Sequence, residues 1–486
     1  MALCLTGGAA LPLPLLPRLS MRWQRRSDVA TVSAAAEASE RRPSFSSVAV
    51  IGGGIAGLAC AKRLGALGLK ATVFDTGKRG PGGRASSRTW RGHLVDHASQ
   101  FVTTTDPEFA ETLTSSGAVR PLGVDGRFGT LKGGSFKPID DGLARWVGKE
   151  GMGGIVRALA DGLDIKQDVW VPPSNGLQCS QSDGRWGVVV PGPGGGRDVM
   201  WFDAAIIAHN GKCAERLTSS TPAKEVHALL RTNFSCALPR NPQPGSGRFT
   251  LNQIYSLLFE VPRGVMPASF DAAFVENEPV LRWLSSNNAK LPSPGGGDGE
   301  VWTALSSAPF GKQHKAPQEF LEGTPKEAEV VDLMLAAVER AAGLADGKLR
   351  GEGSVRATKL QLWGAALPIT RWASNDNVDF AWSATHRIGI AGDWLSASPA
   401  RASNIEAAWI SGVHLAEHMA RAGTEDAGIQ LGEGGGVFVP VDADFGSATG
   451  QPVWVAEPSD EPAQRKGKGR GRGKGHWKGK SDRGKA

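Results

Sequence analysis

Three glycines and one acid stand at spacings that suit a phosphate and a sugar. Gly52, Gly54 and Gly57 form a G-x-G-x-x-G pattern, and Asp75 follows downstream. The first glycine permits a tight turn. The second lets the backbone approach a pyrophosphate. The third lets a helix pack against a strand. Amides at the helix N-terminus would hold the phosphates. An acid about twenty residues on suits a ribose hydroxyl pair and argues against a 2′-phosphate. These residues predict dinucleotide binding and leave NAD and FAD both open.

The elements that must position them are legible nearby. Val48–Ile51 is a short apolar run fit for a buried strand. Leu58, Ala61, Leu64 and Gly65 then fall on one helical face, which should lie on the sheet. Ala71–Phe74 reads as a second strand ending in Asp75.

Two further segments carry candidate chemistry. RGPGGRASSR (79–88) is glycine-rich and contains Gly83 and Arg84, suited to a second backbone approach to phosphate with a guanidinium beside it. Far downstream, HRIGIAGDW (386–394) reads as a strand over Ile388–Ala391 ending in Gly392 and Asp393, with a helix from Asn404 onward. His97 and His209 are the candidates for a base. Neither has a recognisable acid partner, so the first reading for each is a structural histidine satisfied by backbone.

The chain has 486 residues, enough for two or three domains. Its five cysteines include no C-x-x-C pair, which argues against a disulfide framework or a zinc site. No apolar run of about 18 residues predicts a transmembrane helix. Of the net +7, residues 465–486 carry +9 (ten Lys or Arg, one Asp) and residues 1–46 carry +3 (six Arg, three acids), leaving the body at −5. Residues 1–46 join an apolar Pro/Gly-broken stretch to one rich in Arg, Ser and Ala, a composition that suits an organelle transit peptide. Residues 465–486 alternate glycine with cations, so disorder is expected, with non-specific binding of nucleic acid or an acidic partner as a candidate role. Residues 426–464 read as linker.

Between these ends, strand and helix signals alternate. RWGVVV (185–190) and FDAAIIAH (202–209) are strand-like and suggest a small meander inserted in the nucleotide domain. Thr324-Pro325-Lys326-Glu327 opens a helix with a capping box, Val330, Met334, Val338 and Ala341 form its buried stripe, and Gly343 ends it. The stretches 239–250 and 287–300 read as Pro/Gly-rich loops.

The chain resembles the amine-oxidase-like flavoproteins, and within them the renalase-like FAD/NAD(P)-binding oxidoreductases of plants and algae. The resemblance rests on RGPGGRASSRTWRGHLVDHASQF (79–101), AHNGKCAERL (208–217), EVWTALSS (300–307) and LQLWGAALP (360–368), and covers roughly residues 47–420. It implies an α/β fold: a two-domain flavoprotein with a Rossmann-like FAD-binding domain, mainly 47–100, 151–214 and 352–425. An α+β substrate domain, mainly 101–150 and 215–351, would be inserted in it. It also implies a resident FAD, bound noncovalently because no cysteine lies between Ser383 and Met419.

By the same resemblance, Gly52, Gly54 and Gly57 would hold the pyrophosphate and Asp75 the adenosine ribose. Gly83 and Arg84 would lie along the pyrophosphate and ribityl chain. Val169 would stand on the adenine side, Asp393 beside Gly392 would hold the ribityl or pyrophosphate region, and the helix from Ile405 would aim its N-terminus at the flavin. The implied activity is an FAD-dependent oxidoreductase accepting a hydride from a small molecule, with amines, reduced or mis-isomerised nicotinamides such as NAD(P)H, and polyene-like lipids as the candidates. The alternative is a weakly catalytic flavin scaffold tethered by its basic tail. A chloroplast is the expected compartment, a mitochondrion the alternative.

Departures from the family pattern limit the site. Ser99 and Phe101 stand where the subgroup often has glycine or alanine, and tyrosine. Tyr255 is the only tyrosine, so a two-tyrosine cage for an amine is impossible, and Trp302, Trp363 or Trp394 would have to substitute.

Overall fold

The computed structural model describes residues 46–236, 247–291, 298–398, 401, 403–422 and 436–441. The predicted transit peptide up to residue 45, the basic tail and most of the predicted linker lie outside these residues.

The glycine turn sits in a six-stranded sheet ordered Asp164–Lys166, Lys70–Phe74, Ser47–Ile51, Ala204–Ile207, Ile388–Ile390 and Ala381–Ser383. The first five run parallel and the last is an antiparallel edge. Val48, Val50, Val73, Ala204 and Ile206 are buried, as near-continuous apolar runs require in a sheet covered on both faces. Helix Ile55–Ala66 buries Leu58, Ala61 and Leu64 as predicted, but Gly65 is exposed. The helix is buried more widely than one stripe because helix Ile405–Ala422 packs on it. A Cβ added to Gly412 would stand 2.2 Å from the Ala56 carbonyl oxygen.

The meander is present as Leu177–Cys179, Trp186–Pro191 and Arg197–Phe202, all antiparallel. The run 202–209 is therefore two elements. The chain breaks at Asp203, whose carboxylate accepts from the Ser46 and Ser47 amides, and Ala204–Ile207 passes into the parallel sheet.

A second, seven-stranded sheet is ordered Ala357–Trp363, Ile254–Pro262, Gly299–Ser306, Leu281–Ser286, Ala272–Val275, Phe128–Lys132 and Ser135–Pro138. Helix Pro325–Ala342 covers it, burying Val330, Met334, Val338 and Ala341 against Leu257, Phe259 and Trp302. Thr324 caps this helix through the Glu327 amide, while the Glu327 carboxylate reaches back to Gly323 N–H, one residue before the predicted partner. Gly343 closes it in the left-handed region. Strand Ala357–Trp363 belongs to this sheet, so the chain returns to the first sheet after Trp363 and later than residue 352.

Two loop expectations are corrected. The stretch 287–300 opens with helix Asn287–Lys290, whose Asn287 and Lys290 are buried, and closes in strand Gly299–Ser306. The stretch 239–250 lies mostly outside the described residues, but Phe249–Leu251 is a strand paired with Thr232–Phe234. Within the predicted linker, strand Val437–Pro440 pairs antiparallel with Thr370–Ala373.

Candidate functional site

One cleft of about 530 Å³ opens where the two sheets meet. That is within the size range of small-molecule and cofactor sites. Nine of the ten predicted cofactor residues line it: Gly52, Gly54, Asp75, Gly83, Arg84, Val169, Gly392, Asp393 and Ile405.

The three motif glycines divide their work as their spacing implies. Gly52 has φ +115°, and a Cβ there would stand 2.8 Å from the Ala208 carbonyl oxygen. Gly54 is the N-cap of helix Ile55–Ala66, and a Cβ there would meet no atom within 4 Å. It faces open cleft, as close approach to a phosphate requires. Gly57 is absent from the lining. Its Cβ would fall 2.0 Å from the Gly52 carbonyl oxygen, so it serves helix–strand contact alone.

Asp75 ends strand Lys70–Phe74. Its Oδ2 accepts from Gly53 N–H at 2.8 Å and its Oδ1 from Gly77 N–H at 2.7 Å. Each oxygen keeps a lone pair for a hydroxyl. Val169 is held beside it, its N–H donating to the Asp75 carbonyl at 3.0 Å. The second glycine loop is laid on the first through Gly82 N–H to the Gly53 carbonyl, 2.8 Å. Gly83 is in the left-handed region with open space beyond its Cα.

Arg84 and Asp393 find each other across the cleft. Nη1 and Nη2 of Arg84 donate to Oδ2 and Oδ1 of Asp393 at 2.8 and 2.9 Å, and Nη1 also donates to the Ala366 carbonyl at 2.8 Å. Burial opposes the guanidinium charge, but the carboxylate outweighs it and holds the Arg84 pKa above its ordinary value. The helix Ile405–Ala422 presents its N-terminus to the lining through Ser403, Asn404 and Ile405, and Asn404 caps it by accepting from Ala407 N–H at 2.7 Å.

The two histidines part company. His209 lines the cleft, with Nδ1 3.1 Å from the Ile51 carbonyl oxygen, and burial lowers its pKa. His97 does not reach the cleft. It stands behind Trp363, ring edge to ring face at 5.6 Å, and its carbonyl accepts from Trp363 Nε1 at 3.0 Å. Burial first, and Arg88 next, push its pKa down to about 3. The His209 ring is thus tied to backbone, whereas the His97 ring has a backbone hydrogen bond to Ser86 and leaves its Nδ1 buried without a hydrogen-bond partner.

Of the candidate aromatics, Trp363 and Trp394 line the cleft. Trp302 and Tyr255 do not. They lie in the core of the second sheet, and Tyr255 Oη donates to the His314 carbonyl at 2.7 Å. Residues the sequence did not mark as site residues include Ile254, Leu305, Leu367, Gln318 and Cys213. The Cys213 thiol is exposed at the cleft, and desolvation by the surrounding wall raises its pKa, with Arg216 opposing and Glu319 assisting.

The family model of the NAD(P)-binding Rossmann-like domain matches residues 50–115. A neurosporene-forming phytoene desaturase of Rhodobacter capsulatus is 54% identical over 57 residues, 12% of this chain and 11% of that one. The chain thus matches about a tenth of the length of that curated relative. Among solved structures, a protein of an Exiguobacterium species provisionally assigned as a protoporphyrinogen oxidase superposes with a TM-score of 0.52 at 11% identity, covering 78% of this chain and 99% of its own. A reduced UDP-galactopyranose mutase gives a TM-score of 0.52 at 10% identity, covering 77% and 93%. At such identities the likeness is one of fold. The chain is a mixed α/β protein with a Rossmann-like NAD(P)-binding domain, built on the plan that these solved structures share.

Proposed function

We propose that the protein is an FAD-dependent oxidoreductase of the amine-oxidase-like type, taking a hydride from a small molecule. The observation that carries this reading is the course of the cleft. It runs from Asp75 and Val169, past the open face of Gly54, to Gly392, Asp393 and Ile405, and ends against Ile254, Leu305 and Trp363 of the second sheet. A resident dinucleotide would span that path with its reactive end at the junction of the sheets. A bound flavin would supply a two-electron acceptor there.

The chain's own groups would do the holding. Asp75 offers acceptors to ribose hydroxyls, Gly54 admits a phosphate, and Arg84, which lines the same space, has N–H groups beyond the three donated to Asp393 and Ala366. The N-termini of helices Ile55–Ala66 and Ile405–Ala422 favour negative charge at the two places where it would sit. His209, kept neutral by burial, suits a positioning role better than proton transfer at neutral pH.

The test is direct. Purified protein should carry flavin absorbance, released by acid or denaturant, and should bleach anaerobically with a two-electron donor. A colourless protein that takes up no added FAD would end the reading. We also propose plastid targeting by residues 1–46, supported by their composition. Fusion of this segment to a fluorescent reporter would test it, and a reporter left in the cytosol would contradict it.

A further inference from the structure

The walls at the second-sheet end of the cleft are aromatic and aliphatic: Phe101, Ile254, Leu305, Trp363 and Leu367. Two of these are fixed from behind. Phe101 stacks on buried Trp283 at 5.3 Å, within a cluster completed by Phe128 and Phe274. Trp363 is pinned through its indole N–H to His97. The surface is therefore preformed and does not need a ligand to order it.

Of the polar side chains near this end, the amide of Gln100 is already committed, while the hydroxyls of Ser99 and Thr103 beside Phe101 also line the cleft. Gln100 lines the cleft, but its Oε1 accepts from Lys290 Nζ at 2.8 Å and Ser285 Oγ at 3.0 Å, and its Nε2 donates to the Asp96 and Ala98 carbonyls. Gln318 accepts from Gly364 N–H at 3.3 Å and keeps its NH₂ group. The charged lining residues among the described ones are Asp75, at the opposite end, and Arg84 with Asp393, which neutralise each other. Burial lowers the His209 pKa, the Cys213 thiol carries no fixed charge, and Glu319 stands outside the lining, near Cys213.

An ion brought to this wall would lose its hydration and gain no counter-charge. We infer that the substrate end takes an electrically neutral, lipophilic molecule rather than an ammonium ion or a phosphate-bearing nicotinamide. This inference rests on the flavoenzyme reading above and narrows its substrate class.

The test uses the full-length flavin-loaded protein and three probes of one size: 4-phenylbutanol, 4-phenylbutylamine and 4-phenylbutyrate. Binding is read from the perturbation of the flavin spectrum. The alcohol should bind about 10-fold or more tightly than either ion. Leu367→Asp, a change at a half-exposed position, should shift the amine-to-alcohol preference by about 10-fold toward the amine. Leu305→Asp should do the same from a deeper position, so misfolding of one variant leaves the other to decide. Equal or tighter binding of the amine or the carboxylate, or no binding by any of the three, overturns the inference while leaving the flavin assignment standing. Absence of flavin from the purified protein overturns the assignment itself.

Discussion

Lys290 and Asp96 form an ion pair with neither side chain open to solvent, Nζ standing 3.6 Å from Oδ2. The other carboxylate oxygen accepts from Ser87 Oγ at 2.5 Å and Met152 N–H at 2.9 Å. The pair thus joins the hairpin Ser87–Trp90/His93–Asp96 to helix Asn287–Lys290 beside the second sheet, and through Gln100 it fixes one wall of the cleft. Burial lowers the Lys290 pKa, and Asp96 opposes that shift. Lys290→Met would leave Asp96 buried without its partner and should cost about 3–5 kcal/mol in denaturant unfolding. Adding Asp96→Asn should recover part of the loss. A double variant as unstable as the sum of the singles would show that the pair contributes no mutual stabilisation.

Gly54 and Gly57 should separate binding from folding. Gly54→Val places a side chain in open cleft, on an extended residue with φ −76° and ψ 179°. Stability of the apoprotein should change by less than about 1 kcal/mol, while FAD affinity falls by about 10-fold or more. Gly57→Ala drives a methyl into the Gly52 carbonyl and should yield little folded protein. Wild-type flavin affinity in Gly54→Val would remove the phosphate role from that residue.

Arg84 matches the carboxylate of Asp393 with two parallel hydrogen bonds, a geometry that lysine cannot reproduce. Arg84→Lys should therefore weaken FAD binding by about 10-fold, measured by quenching of flavin fluorescence on titration with apoprotein. Asp393→Asn keeps the shape and removes the charge. Its effect should be smaller than that of Arg84→Ala, which leaves the nearly buried Asp393 carboxylate unpaired. The reverse order would indicate that Asp393 itself holds the ligand.

The parts of the site legible in sequence are those encoded locally. Gly52, Gly54, Gly57 and Asp75 lie within one strand–turn–helix–strand unit, and their spacing reports their geometry. The roles of Val169, Asp393 and Ile405 are legible only through family resemblance, since only the fold brings them to the glycine turn. Ile254, Leu305 and Leu367 read as ordinary core residues, because an apolar residue facing a cleft has the same local pattern as one facing a helix. Trp302 and Trp363 show the same limit. Both sit on strands of the second sheet, and only the packing of helix Pro325–Ala342 places Trp302 in the core. Lys290 is not legible as a buried residue because its neighbours, Asn287, Asn288 and the Pro/Gly run after them, have the composition of a surface loop.

Strand Val437–Pro440 links a late segment to the cofactor end. Phe438 packs on Trp372 at 5.0 Å and beside Trp394 at 5.8 Å, and Trp394 stacks on Phe249 at 4.3 Å. Trp394 in turn lies against Gly392, where a Cβ would stand 2.9 Å from its indole nitrogen. Phe438→Ala should lower stability by about 2 kcal/mol, as expected for a half-buried ring with aromatic partners. It should also loosen flavin binding measurably, because it unpacks the rear of the Gly392 turn. A destabilised variant with unchanged flavin affinity would confine the strand to a structural role.

His97 gives the acid limb of stability a defined component. The ring is buried, faces the cations Arg88 and Lys359, and has its pKa pushed from 6.5 to about 3, with a backbone hydrogen bond to Ser86 opposing the shift. Between those two values the unfolded chain carries a proton that the folded chain does not. The folded state therefore loses stability from this group as pH falls from about 6.5 toward 3, by up to about 1.4 kcal/mol per pH unit. His414, beside Asp379, behaves oppositely. Its pKa is raised by that hydrogen bond, so its contribution is full below 6.5 and fades as pH rises through the folded value. The two are separated by measuring wild type against His97→Gln at each pH, so that all other titrations cancel. The stability difference should move in favour of the variant as pH drops from 6 to 4. A difference that stays constant over that range would show that His97 keeps an ordinary pKa, and with it a solvated place in the fold.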